Sequence, residues 1–200
     1  PPADADQATT PLPPFPITAA VNRKIVLTQA PKPFLLEVDA LVVGNNEALS
    51  DRSSLVGAIF DAGGESFALE VDALGGVRTG EARMTSGFPH GAIAARRVIH
   101  AVGPKYQAKY AHAAASALHA ASRASMQLCR AHGLRTVALL PLHDTSRKAF
   151  PTTEAAHVVL RTLRRFLEKH LDAIDGLLLV LPTDADVEAY HSLAPIYFPR

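Results

Sequence analysis

The chain of 200 residues has one cysteine, Cys129. A lone thiol excludes an internal disulfide and a cysteine-based metal cluster, and it fits a reducing compartment. A cytoplasmic location is therefore expected. The nine histidines are scattered without a paired spacing backed by a second cluster, so neither a metal nor any other cofactor is expected. Charge is also scarce in net terms, at +1. No global field announces a nucleic-acid or membrane partner, and polyanion binding would need a local patch. The longest strongly apolar run, Leu177 to Leu181, is far short of a bilayer span. The first residues lack the basic and apolar regions of a signal peptide. They also lack an initiator methionine, so a piece of a longer protein is expected.

Hydrophobic residues make up 48% of the chain, enough for one sizeable core and a single domain. Residues 1–16 hold six of the 15 prolines. Proline gives no backbone donor and resists helix interiors and sheet ladders, so residues 1–20 read as an arm or linker before a domain over 21–200. Five apolar segments of strand length follow: "KIVLTQ", "VDALVV", "RVIHAV", "TVALLPL" and "LLLVLP". Continuous apolar runs suit strands covered on both faces.

Between the third and fourth runs, Ala111, Ala114, Leu118, Ala121, Ser125, Leu128 and His132 recur at helical spacing, with Gly133 as the stop. A second long helix is predicted after Pro151. Thr152 or Thr153 would cap it, and Ala156, Val159, Leu160, Leu163, Phe166 and Leu167 form its buried stripe. His157, Arg161, Arg165 and Lys169 read as its solvated face. Shorter helices are predicted over 54–62 and 65–74. The order indicates a three-layer α/β/α sandwich with a mixed, mostly parallel central sheet. Ligands of such sheets sit beyond the carboxyl ends of strands, here the loops after "VDALVV" and "TVALLPL". His100, inside a strand, reads as a packed or edge histidine.

"VDALVVGNNEAL", "VGAIFDAGG", "LGGVRTGEARMTSGF" and "RRVIHAVGPKY" together resemble the macro domain family, known for binding ADP-ribose. The likeness runs over roughly residues 21–200. Within the family, "LRTLRRFLEKH" and "YFPR" are similar to a branch in which a Sec14-type lipid-binding domain follows the macro domain. The resemblance implies a cleft around Asn45, Asn46, Asp51, Arg52, Ser53 and Leu55 on one side and Thr145, Ser146, Arg147, Lys148 and Phe150 on the other.

This chain departs from the family where ligand chemistry is done. The family's adenine-binding aspartate falls near Pro31, and neither Ala30 nor Pro31 can accept through a side chain. The asparagine signature reads Val43, Gly44, Asn45, Asn46, so only its second asparagine, Asn46, is matched. The first phosphate loop, glycine-rich in the family, is Ser50-Asp51-Arg52-Ser53-Ser54. The second is Asp144-Thr145-Ser146-Arg147-Lys148-Ala149 before Phe150-Pro151. Glycine lets backbone N–H groups close on a diphosphate, and both loops have replaced it and gained an aspartate.

Each lost partner costs on the order of 1–3 kcal/mol, and each tenfold in affinity is about 1.4 kcal/mol. Three losses carry a micromolar ligand to millimolar or beyond. Arg52, Arg147 and Lys148 offset part of this through screened contacts. Ser53 or Ser54 reads as a helix N-cap, and the Asn45-Asn46 pair as a turn. The expected function is a non-catalytic binding module with a degenerate cleft, taking ADP-ribose weakly or not at all and open to poly(A), RNA or a protein partner. The alternative is an ADP-ribosyl hydrolase. A third expectation is a polyanion surface along the second long helix and the Arg96-Arg97 edge.

Overall fold

The computed structural model describes residues 15–87, 90–142 and 150–199. Six strands form one sheet: β1 (Ile25–Thr28), β2 (Ala40–Gly44), β3 (Ala82–Ser86), β4 (Arg97–Ala101), β5 (Thr136–Leu139) and β6 (Gly176–Val180). Their order is β1-β6-β5-β2-β4-β3. All neighbours are parallel except β3, which runs antiparallel to β4 at the edge. The helices are α1 (Ala19–Asn22), α2 (Ser54–Asp72), α3 (Ala111–Ala131), α4 (Thr152–Lys169) and α5 (Asp184–Tyr197).

Side chains alternate across the pleat, and β2 shows how this divides the core. Ala40 and Val42 join the cluster formed with α3, α4 and α5. Leu41 and Val43 join the cluster under α2, with Ile59, Phe60, Phe67 and Val71. The three predicted layers are therefore present. Parallel register, such as Ala40 opposite both Val137 and Arg97, places all five carboxyl strand ends on one side.

Several expectations need correction. The strand β3 was not predicted, because Arg83, Thr85 and Ser86 leave it no apolar run at the edge of the sheet. The helix α5 was missed as well, although Thr183 and Asp186 form a reciprocal capping box at its start. Neither Thr152 nor Thr153 caps α4: Pro151 holds the N-cap position, without a side-chain bond. His157 leaves the solvated face and meets the Tyr197 hydroxyl at 2.7 Å, while Arg161, Arg165 and Lys169 stay exposed. The two short helices predicted around residue 64 run on as α2, with a break at Gly64 (φ 70°, ψ −168°). Of the expected arm, residues 1–14 lie outside the described residues, and Phe15 packs on Tyr197 with ring centroids 5.2 Å apart. Cys129 is buried in the core, where desolvation pushes its thiol up to about 12 and leaves it inert.

Candidate functional site

The loop after β2 binds itself. The Asn45 N–H extends the ladder to Ala101 O at 2.9 Å, and its side-chain Oδ1 accepts from the N–H groups of Asn46 at 2.8 Å and Asp51 at 3.2 Å. The Asn45 Nδ2 is buried without a partner among the described residues. Asn46 Oδ1 accepts from Ser50 N–H at 2.9 Å, and Asn46 Nδ2 donates to Ser50 Oγ at 3.2 Å. Leu49, in the turn this closes, is buried and held at φ 55°. Among the described residues it is the one non-glycine residue in left-handed backbone, so this loop shape is stabilised by its surroundings.

The first phosphate loop is similarly occupied. Asp51 Oδ1 accepts from Ser53 N–H at 2.8 Å and from its hydroxyl at 2.6 Å. Ser53 therefore sits at the N-cap of α2 but gives its hydroxyl to Asp51 and caps nothing; Ser54 is the first residue of the helix. Arg52 does not reach outward for an anion. Its Nη1 donates to Leu49 O at 3.0 Å and Asp51 O at 2.9 Å, and the guanidinium lies 3.3 Å from the Phe60 ring centroid. Leu55 is half-buried and packs against the core cluster under α2. A Cβ on Gly57 would stand 2.2 Å from Arg52 O, and one on Gly44 would stand 2.7 Å from Pro141 O. These glycines make room for the chain's own backbone.

On the opposite wall, Thr145, Ser146, Arg147 and Lys148 lie outside the described residues. Phe150 is buried, with its ring 4.8 Å from that of Tyr106. Among the described residues, a cavity of about 10 Å³ lies at the ends of β5 and β6, lined by Leu139–Leu142, Val159, Leu179–Leu181 and Tyr190, and a wider, more open pocket of about 560 Å³ is lined by Glu47, Gly75, Gly76, Val77, Arg78, Glu81 and Arg83. The first holds about one water molecule, whereas the second is within the several hundred Å³ of ordinary ligand sites. On the adenine side, Pro31 is exposed and Ala30 half-buried.

The Macro domain model matches residues 42–159, more than half of the chain. The chain belongs to the macro domain family. It is 40% identical over 187 residues to ganglioside-induced differentiation-associated protein 2 of Danio rerio, covering 94% of this chain and 36% of the relative. The Homo sapiens protein of the same name is 36% identical over 198 residues, 99% of this chain and 39% of the relative. This macro domain thus spans less than two-fifths of the length of these relatives. The crystal structure of the macro domain of ganglioside-induced differentiation-associated protein 2 superposes with a TM-score of 0.87 at 36% identity, over 94% of this chain and 90% of that one. A Trypanosoma brucei macrodomain in complex with ADP-ribose gives 0.77 at 26% identity, over 86% and 70%.

Sequence reasoning did not find how basic the seam between α3 and α4 is. Among its 21 residues α3 has no carboxylate. The proton affinity of His119 is lowered by burial and by Arg123 of its own helix with Arg165 of α4. That of His170 is lowered by its desolvation with Arg130 and Lys169. Cations from both helices thus face one another; the signal available was the run of α3 without a single acid. The Arg96-Arg97 edge is different: Arg96 pairs with Asp39 at 2.8 Å and Arg97 Nη1 donates to Ser86 Oγ at 2.9 Å.

Proposed function

We propose that this macro domain is a non-catalytic binding module whose nucleotide cleft is filled by its own loop. The observation that carries the reading is the closed circuit of Asn45, Asn46, Ser50, Asp51, Arg52 and Ser53, whose polar groups bond one another. A diphosphate would have to displace these bonds and approach the Asp51 carboxylate. Hydrolysis is further disfavoured by Val43, buried in β2, which offers no group to hold a ribose in near-attack geometry. Calorimetric titration with ADP-ribose is expected to give no heat, or a dissociation constant near millimolar, about a thousandfold weaker than a micromolar ligand. Low-micromolar affinity would overturn the reading.

The α3–α4 seam favours a second ligand, single-stranded RNA such as poly(A), held through phosphates outside the cleft. Reversing charge with Arg123→Glu and Arg165→Glu is expected to weaken poly(A) binding at least tenfold. It should also lower the slope of log affinity against log salt by about 2. Fluorescence anisotropy across a salt series checks this, and unchanged affinity would rule it out. A cytoplasmic location, a protein partner and an adjoining Sec14-type domain in a longer parent chain belong to the same proposal.

A further inference from the structure

At the end of the sheet opposite the cleft, three side chains form a relay. Ser66 Oγ lies 2.9 Å from His90 Nδ1, and His90 Nε2 lies 2.6 Å from Glu70 Oε2. The other oxygen of Glu70 accepts the Ser86 N–H at 2.8 Å, where β3 pairs with the start of β4. The protonation pattern follows from the partners. A carboxylate only accepts, so the imidazole carries its proton on Nε2 and presents the Nδ1 lone pair to the Ser66 hydroxyl. Burial raises the carboxyl of Glu70, but the Ser86 N–H and His90 outweigh it and keep the group below its ordinary range. No lysine or arginine pairs with Glu70 among the described residues, so its charge is left to the imidazole.

We propose that Ser66, His90 and Glu70 form a second site, an esterase-like one, in which Ser66 Oγ is an activated nucleophile for a small uncharged acyl ester. Ser66 is exposed and lies two residues beyond the break at Gly64. It therefore falls in the first turn of the resumed helix, whose N-terminal partial positive charge suits a developing oxyanion. Leu69, three residues on and on the same helix face, is 62% exposed. It offers an apolar rest for an acyl chain.

Ser66 Oγ bonds to the acyl carbon as the bond to the alkoxy oxygen breaks. The Ser66 proton passes to His90 Nδ1 and then to the leaving alcohol. Water attacks the acyl-serine, its proton again passing through His90, and acid is released with Ser66 restored. Glu70 is a positioning residue, fixing the His90 tautomer.

A biotinylated fluorophosphonate incubated with the whole chain tests the site. The expected result is one adduct per chain, mapped to Ser66 by peptide mass spectrometry and absent in Ser66→Ala. His90→Ala should slow labelling by about 100-fold or more, with added imidazole restoring part of the rate. Glu70→Gln should shift the nitrogen resonances of His90 away from the Nε2–H tautomer while thermal unfolding shows a folded chain. Millimolar ADP-ribose should leave labelling unchanged, which keeps this site independent of the cleft. No adduct, an adduct elsewhere, labelling indifferent to His90→Ala, or protection by ADP-ribose would overturn the proposal.

Discussion

Arg164→Ala is expected to destabilise the domain by about 3–5 kcal/mol, since several buried acceptors lose their donor at about 1–3 kcal/mol each. For a chain of this size that is a fall in thermal midpoint of roughly 6–20 °C. The guanidinium is fully buried and makes contacts from the middle of α4 to both ends of the described chain. Nε donates to Glu168 Oε1 at 2.6 Å, Nη1 to Asn22 Oδ1 at 2.5 Å and Tyr197 O at 3.0 Å, and Nη2 to Pro16 O at 3.0 Å. Phe15 and Phe198 face it with ring centroids 5.6 Å and 5.8 Å away. Asn22 in turn donates to Pro199 O.

Truncation leaves several acceptors without donors in a space water enters poorly, while Glu168 is exposed enough to rehydrate. Lysine carries the charge but not the planar fork, so Arg164→Lys should recover less than half of the loss. Chemical denaturation measures both variants. Hydrogen exchange should show residues 15–18 and 197–199 opening together. A loss under about 1 kcal/mol for Arg164→Ala would show that the two ends hold without the latch, since a surface arginine contributes no more than that.

The fold was legible where apolar runs were continuous. All five predicted strands exist, and Gly133, at φ 63°, stands just past α3 as expected. The edge strand β3 was hidden because exposed Arg83 and buried, polar Thr85 share one face, so no apolar run or alternation marks it. Arg164 was hidden by its chemistry: an arginine in "LRTLRRFLEKH" reads as surface until partners 142 and 33 residues away in sequence are folded onto it. In the cleft, sequence showed which family groups were missing but not what replaced them. The substitution of Asp51 and Ser53 for glycine reads as loss, yet the structure joins them in a local hydrogen-bonded loop. Asn46, the one family asparagine kept, is likewise engaged with Ser50. The relay of Ser66, Glu70 and His90 spans a four-residue helix spacing and a loop 20 residues later, too far for any local motif.

Stability is expected to drop by about 3 kcal/mol between pH 7 and pH 4 through His100 alone. This residue of β4 is wholly buried against Phe60 and Phe67, with ring centroids 6.3 Å and 5.8 Å away. Its Nε2 meets Thr85 Oγ1 at 3.1 Å, and its Nδ1 has no partner among the described residues. Desolvation lowers its pKa from 6.5 to about 4, with Glu70 raising it and Arg52 lowering it in smaller measure. The unfolded chain binds the proton at pH 6.5, whereas the folded chain resists it until about pH 4. Stability is therefore fully present above pH 6.5 and lost as pH falls from 6.5 towards 4, at up to about 1.4 kcal/mol per unit.

The carboxylates act in a lower window. Asp39, held at about 2 against 3.8, contributes stability that is lost only as pH falls below about 4. Its burial opposes this, but the Thr136 and Arg135 N–H groups and Arg96 prevail. His119 shares the direction of His100, yet it is exposed and contributes less. A neutral His100→Gln variant should be less stable than the parent at pH 7 and should lose most of the pH dependence between 6.5 and 4. Denaturant midpoints taken at half-unit steps of pH provide the comparison. Parallel curves for the two proteins would assign the acid sensitivity to other groups.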